Sequence, residues 1–158
     1  MEVPGVAKTG RSKTPGRRPH LFTLEHANRT LPLVRRIVAD VIRRYKRICA
    51  LEERCQGPTP EGADATIDEF RRQYGMELEA LRGLADELSA VGCELKDVRR
   101  GIVDFRALHD GRIIEFCWRH GEETVQYWHE LNDGFHDRRK MGAEFAAQLA
   151  AVGSTTTV

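Results

Sequence analysis

The stretch Gly101–Glu130, GIVDFRALHDGRIIEFCWRHGEETVQYWHE, holds both tryptophans and most of the residues with chemistry to offer. Cys117, His120, Glu122, His129 and Glu130 supply thiolate, imidazole and carboxylate groups, the donor types that bind zinc or iron. Asp104, Arg106 and Glu115 lie within the same stretch and add two carboxylates and a guanidinium. His129 is also the natural candidate for a general base or a pH-responsive group, because imidazole titrates near neutrality. The spacings match no fixed ligand motif. A glycine-rich phosphate loop, a nucleophile elbow and regularly spaced catalytic carboxylates are all missing from the sequence. No catalytic residue, metal or cofactor is therefore assigned, and the reading leans towards a protein that is not an enzyme.

Alternating hydrophobicity makes this stretch β-structure. Asp110-Gly111 is a two-residue hairpin signal, and it pairs Ala107 with Ile114, Phe105 with Phe116 and Val103 with Trp118 on one apolar face. The opposite face then pairs Arg106 with Glu115, Asp104 with Cys117 and Ile102 with Arg119. A second turn at HGEE, centred on Gly121-Glu122, leads into TVQYWHEL. In that register Val125, Tyr127 and His129 continue the apolar face, while Gln126, Trp128 and Glu130 point outward. A slip of one residue would exchange His129 with Trp128.

Three expectations follow from that register. Cys117 and His129 fall on opposite faces and cannot share one ion. His129 becomes a core histidine whose nitrogens are satisfied by Tyr45, Tyr74 or Glu25. Trp128 lies in an outward row with Arg106 and Glu115, near Ile102, Ile113 and Cys117. That is enough apolar surface to suggest self-association or a protein partner. Asp104, Arg106, Glu115, Cys117, Trp128, His129 and Glu130 are the binding candidates. The alternative is a small-ligand or metal-dependent site around His129, Glu130 and Asp104.

Two long helices precede the strands. Thr23 is predicted to cap the first, with Glu25 near the positive end of its dipole. Pro32 removes a backbone hydrogen bond inside it, so a short first turn or kink is expected, with Thr30 as a second cap. Ala27, Leu31, Val34, Val38, Val41, Tyr45 and Ile48 then form a stripe at helical spacing. QGPTPEGAD breaks the chain. Ile67, Phe70, Tyr74, Leu81, Leu84, Leu88 and Val91 make a second stripe, closed by Gly92. Similar lengths and a short connection predict an antiparallel hairpin spanning about 24–56 and 64–91, with Glu77 level with Arg43 and Arg47. The fold class is α+β, a long helical hairpin packed on a three-stranded antiparallel β-meander over about 102–131, with CELKDVRR as a connection. The single domain covers 21–141, between a basic tail (1–20) expected to be disordered and a weakly ordered end (142–158).

Residues 1 to 56 carry thirteen Lys and Arg against five Asp and Glu, and residues 57 to 158 carry twelve against nineteen. Packing a basic first helix on an acidic second matches these charges internally, so a nucleic-acid partner is disfavoured. No run is apolar enough for a membrane span or a secretory leader. Cys49, Cys55, Cys93 and Cys117 show no paired spacing, consistent with free thiols and a cytoplasmic location.

FTLEHANRTLP, GCELKDV, GIVDF, DGR, CWRHGE, YWHE and GFHDRR, in this order, resemble the uncharacterised bacterial family called domain of unknown function 2203. The resemblance runs from about Phe22 to Arg139. Cys93 stands where an aliphatic residue is usual and Arg106 where proline is usual, which argues against Cys93 as a ligand or nucleophile. The resemblance implies a fold and its extent; the family supplies no activity to carry over.

Overall fold

The computed structural model describes residues 20–57 and 64–148, with backbone alone for 64 and 65. Most of the basic tail, the interhelical loop 58–63 and residues 149–158 lie outside the described residues. Helix α1 (Leu24–Cys55) and helix α2 (Asp64–Val91) are followed by strands β1 (Glu94–Asp97), β2 (Ile102–His109), β3 (Arg112–Arg119), β4 (Tyr127–Glu130) and β5 (Arg139–Lys140). The architecture is α+β. All five strands form one antiparallel sheet in chain order, two more strands than the sequence indicated. CELKDVRR, read as a connection, supplies β1, and β5 follows an irregular segment; both are too short for alternation to announce them.

α1 starts where the sequence places it, with the Thr23 hydroxyl accepting from the His26 N–H at 3.1 Å. It runs unbroken through Pro32. Thr30 donates its hydroxyl to the His26 carbonyl and caps nothing. Tertiary packing overrides the proline here: Leu24, Ala27, Leu31, Val34 and Val38 are all buried against the apolar sheet face, on Phe105, Phe116 and Trp118. Phe22 extends this contact by pairing alongside Ala107, its N–H donating to the Arg106 carbonyl at 2.7 Å. Further along, Val41, Ile48 and Leu51 are buried by the hairpin alone and stand outside the main core. Glu77 bridges the helices to Arg44 at 3.0 Å and Arg47 at 3.5 Å, one position from the expected pair.

The β2–β3 register is the expected one, Val103 with Trp118, Phe105 with Phe116 and Ala107 with Ile114. Asp110 and Gly111, at φ 48° and 74°, form the turn that demands two left-handed residues. β4 is where the sequence reading fails. Phe116 pairs with Trp128 and Glu115 with His129, one residue away from the predicted register. Gly121–Gln126 is a wide loop, not a tight turn. The Trp118 indole N–H donates to the Glu122 carbonyl at 3.0 Å, and the Val125 N–H donates to the Asn28 side chain at 2.9 Å. Val125 and Trp128 thereby both enter the core, although three residues apart. Trp128 lies against Phe145, ring centroids 5.6 Å apart. It forms no outer row with Arg106 and Glu115, and an association surface centred on it loses its anchor.

Trp128→Ala should therefore destabilise the domain by about 3–5 kcal/mol in denaturant unfolding, as expected for an emptied aromatic site. A fully stable variant would restore the outward register. Gly101 sits at φ 63°, and a Cβ there would stand 2.6 Å from Val38 Cγ1. Gly101→Ala should cost about 2–4 kcal/mol in the same measurement, combining left-handed strain with overpacking.

Candidate metal centre

On the face of the sheet away from α1, alternation places Asp104 opposite Cys117 and Glu115 opposite His129. One ligand atom from each of Asp104, Cys117 and His129 lies within 4.8 Å of the others. All three residues are at most 3% exposed. The His129 Nε2 stands 3.2 Å from Asp104 Oδ2, and Nδ1 lies 2.8 Å from the Glu130 carbonyl. His129 thus touches neither Tyr45, Tyr74 nor Glu25; Tyr74 donates instead to Glu52. The slip in β4 overturns the separation of Cys117 from His129 and puts them in one cluster.

Two cations close the cluster. Lys96 Nζ on β1 lies 4.0 Å from Asp104 Oδ2 and 3.8 Å from Glu115 Oε1. At the other end Arg138 comes within hydrogen-bond reach of Cys117. Its guanidinium carbon is 4.1 Å from the ring centroids of both Tyr127 and Phe135, and Nη2 donates to Glu122 at 2.6 Å. Asp104 Oδ1 is fully buried without a conventional hydrogen-bond partner, and the Asp104 carboxylate lies within hydrogen-bond reach of the Cys117 thiol. An unmatched buried carboxylate oxygen costs free energy, and a cation at that point would satisfy it.

Burial raises the Cys117 thiol well above its usual range, and the Asp104 charge adds to this. Cys117 is therefore a neutral thiol and a poor nucleophile. Burial and then Asp104 raise the Glu115 carboxyl, against Lys96 and His129. For His129, burial works against the charged form but is outweighed by the hydrogen bond to Asp104, the Glu130 carbonyl and the two carboxylate charges. Together they hold it at about 9. Glu115 and Glu94 keep Lys96 raised despite its own desolvation. The resting cluster is an imidazolium, an ammonium and a thiol around carboxylates.

Of the sequence candidates, Asp104, Glu115, Cys117 and His129 come together. Arg106 sits at the margin, 3.8 Å from Glu115. Glu130 points elsewhere, to Arg112 at 3.0 Å, and only its carbonyl touches His129. His120 is exposed, and Glu122 serves Arg138. Lys96 and Arg138 were missed. The alternation of Glu94, Leu95 and Lys96 was the available signal for the first; nothing short-range marks the second.

The family model described as Uncharacterized conserved protein (DUF2203) matches residues 20–141. The chain belongs to this family. The matched DUF2203 span contains the whole cluster, including Lys96 and Arg138, and agrees with the extent that the motifs implied. No curated protein and no solved structure matches the chain.

His129 carries a testable signature. Its folded value of about 9 lies above the usual value of 6.5. The stability this provides is fully present below about pH 6.5 and is lost as pH rises through about 9. Imidazole NMR should follow one histidine titrating near pH 9. Asp104→Asn should lower it, because the hydrogen bond and charge that oppose desolvation are then reduced; a histidine still titrating near 9 in that variant would exclude the pairing.

Proposed function

We propose that this protein is a metal-binding module whose centre is the Asp104, Cys117 and His129 set on the polar sheet face. The observation that carries the reading is that a buried carboxylate, thiol and imidazole bring ligand atoms within 4.8 Å of one another, with Asp104 Oδ1 fully buried and lacking a conventional hydrogen-bond partner. The His129 arrangement supports it: Nδ1–H donates to a backbone carbonyl while Nε2 points at the prospective ion, the orientation seen in metal-ligating histidines. Mixed sulfur, nitrogen and oxygen donors suit a divalent transition ion of the zinc or ferrous type. With all three side chains at most 3% exposed, the site accommodates an ion and not an organic ligand. Binding displaces the Nε2 proton and the thiol proton, so it is coupled to proton release.

The module works as a binding protein and not as an enzyme on this reading, since Cys117 is neutral and buried and nothing places a substrate beside His129. It resides in the cytoplasm, where Cys117 remains reduced. Among the described residues no helix is long and apolar enough to cross a membrane.

Titration of the reduced, metal-stripped protein with cobalt(II) tests this. One equivalent should produce a thiolate-to-metal absorption band, and excess zinc should raise the melting temperature by several degrees, as about 2.7 kcal/mol of linkage at 100-fold over Kd implies. Cys117→Ser should remove the band and weaken binding by roughly 100-fold or more. Retention of the band in that variant, or a melting temperature indifferent to zinc, would sink the proposal.

A further inference from the structure

The outer half of the helical hairpin bears a groove along the α1–α2 seam, independent of the metal centre. Two adjoining clefts of about 330 and 350 Å³ share Arg47. The floor is small or apolar: Ala50, Leu51, Met76, Ala80, Gly83 and Leu84. The α1 wall carries Arg43, Arg44, Arg47 and Arg54 against Asp40 alone; Arg43 pairs with Asp40, and Arg44 and Arg47 share Glu77, which leaves the wall net basic. Met76 is 61% exposed and Ile67 39%, and Leu88 alone among the described side chains of α2 is fully buried. A Cβ on Gly83 would meet nothing within 4 Å. Glycine weakens a helix interior, and its place on this floor allows another backbone to approach closely.

Charge says what fits. Leu24–Cys55 carries eight Lys and Arg against four Asp and Glu, and Asp64–Val91 carries three against seven. Of the described acidic side chains on α2, Glu77 alone forms an ion pair with α1; Glu69 and Glu79 pair within α2. The Asp86 and Glu87 side chains are exposed and form no ion pair among the described residues, so their charge is available to arginines from outside. We propose that two copies of this chain associate through this groove, α2 of one copy lying along the seam of the other in a four-helix arrangement. α2 is itself the amphipathic acidic helix that the basic-walled groove suits. In a two-fold dimer each copy offers both surfaces, so the contact closes on itself. Half-buried apolar positions on α2 become fully covered, as in a four-helix bundle.

The full-length protein is tested by sedimentation velocity across 1–100 µM (on the order of the range spanned by weak and moderate self-association), with absorbance ratios reporting retained nucleic acid. A dimer is expected, loosened by Met76→Glu and by Arg43→Glu, each to monomer at concentrations where the wild type is dimeric. Both side chains are more than half exposed, and circular dichroism checks that each variant remains folded. Glu87→Arg should also weaken the dimer, and combined with Arg43→Glu should recover it in part. A wild type that stays monomeric throughout overturns the proposal, as does a dimer indifferent to all three substitutions. A monomer that copurifies with nucleic acid also overturns it, assigning the basic wall to phosphates instead.

Discussion

Side chains alternate along a strand, so one residue of register decides which chemistry meets which. In β4 that parity sends Trp128 into the core beside Phe145 and turns His129 towards Asp104. The opposite parity would bury an imidazole among Phe116 and the helices and strand an indole next to two carboxylates. Each alternative leaves a polar group unmatched or an aromatic ring in a charged setting. The apolar core therefore specifies the polar cluster, although the two lie on opposite faces of the sheet. The same interaction fixes the loop before β4, because Val125 and Trp128 can both be buried only if the chain leaves regular alternation between them.

A buried ionic cluster is a poor device for stability. Desolvation of Asp104, Glu115 and His129 consumes much of what their attraction returns, and apolar replacements of similar volume commonly serve a fold as well or better. Here the balance depends on Lys96 and Arg138, which approach from β1 and from beside β5. Those short outer strands matter for that reason. They bring cations over a face that a three-stranded meander would have left open to water. A structure that spends five strands enclosing a thiol, an imidazole and an underused carboxylate has arranged a low-dielectric setting in which a divalent ion would interact strongly with all three.

What was legible in the sequence was what short-range rules determine. Helical stripes, the Thr23 cap, the Gly92 stop and the Asp110-Gly111 hairpin depend on residues within a few positions of one another. Both helices and the entire β2–β3 register follow from them. β4 depends on how a six-residue loop is spanned, and nothing local says that the Glu122 carbonyl will bond an indole or that Asn28, on α1, will hold the Val125 N–H. Asp104, Glu115, Cys117 and His129 were among the candidates, but that they would lie together was not legible, because grouping is a property of register. Pro32 shows the converse: a local rule predicts a short first turn or a kink, and the helix runs on because buried side chains flank the proline, Leu24, Ala27 and Leu31 before it and Val34 and Val38 after it.

α1 belongs to two structures at once. Its first half is covered by the sheet and its second half only by α2, so at about 1.5 Å per residue the stretch Val41–Cys55 projects roughly 20 Å as a two-helix arm. A helix pair alone can bury only the facing edge of each apolar stripe, which accounts for the half-covered positions along α2. The Asp104, Cys117 and His129 cluster lies on the far face of the sheet, with the apolar core between it and the arm. Among the described residues, no ion pair or hydrogen bond of Asp104, Glu115, His129 or Lys96 reaches either helix, so substitutions at the two sites share no polar partner and their effects should add. Any coupling between ion binding and association must then pass through packing of β2 and β3 on the first half of α1. That makes Val38 and Gly101, in contact where α1 leaves the sheet, the position at which the two halves could communicate.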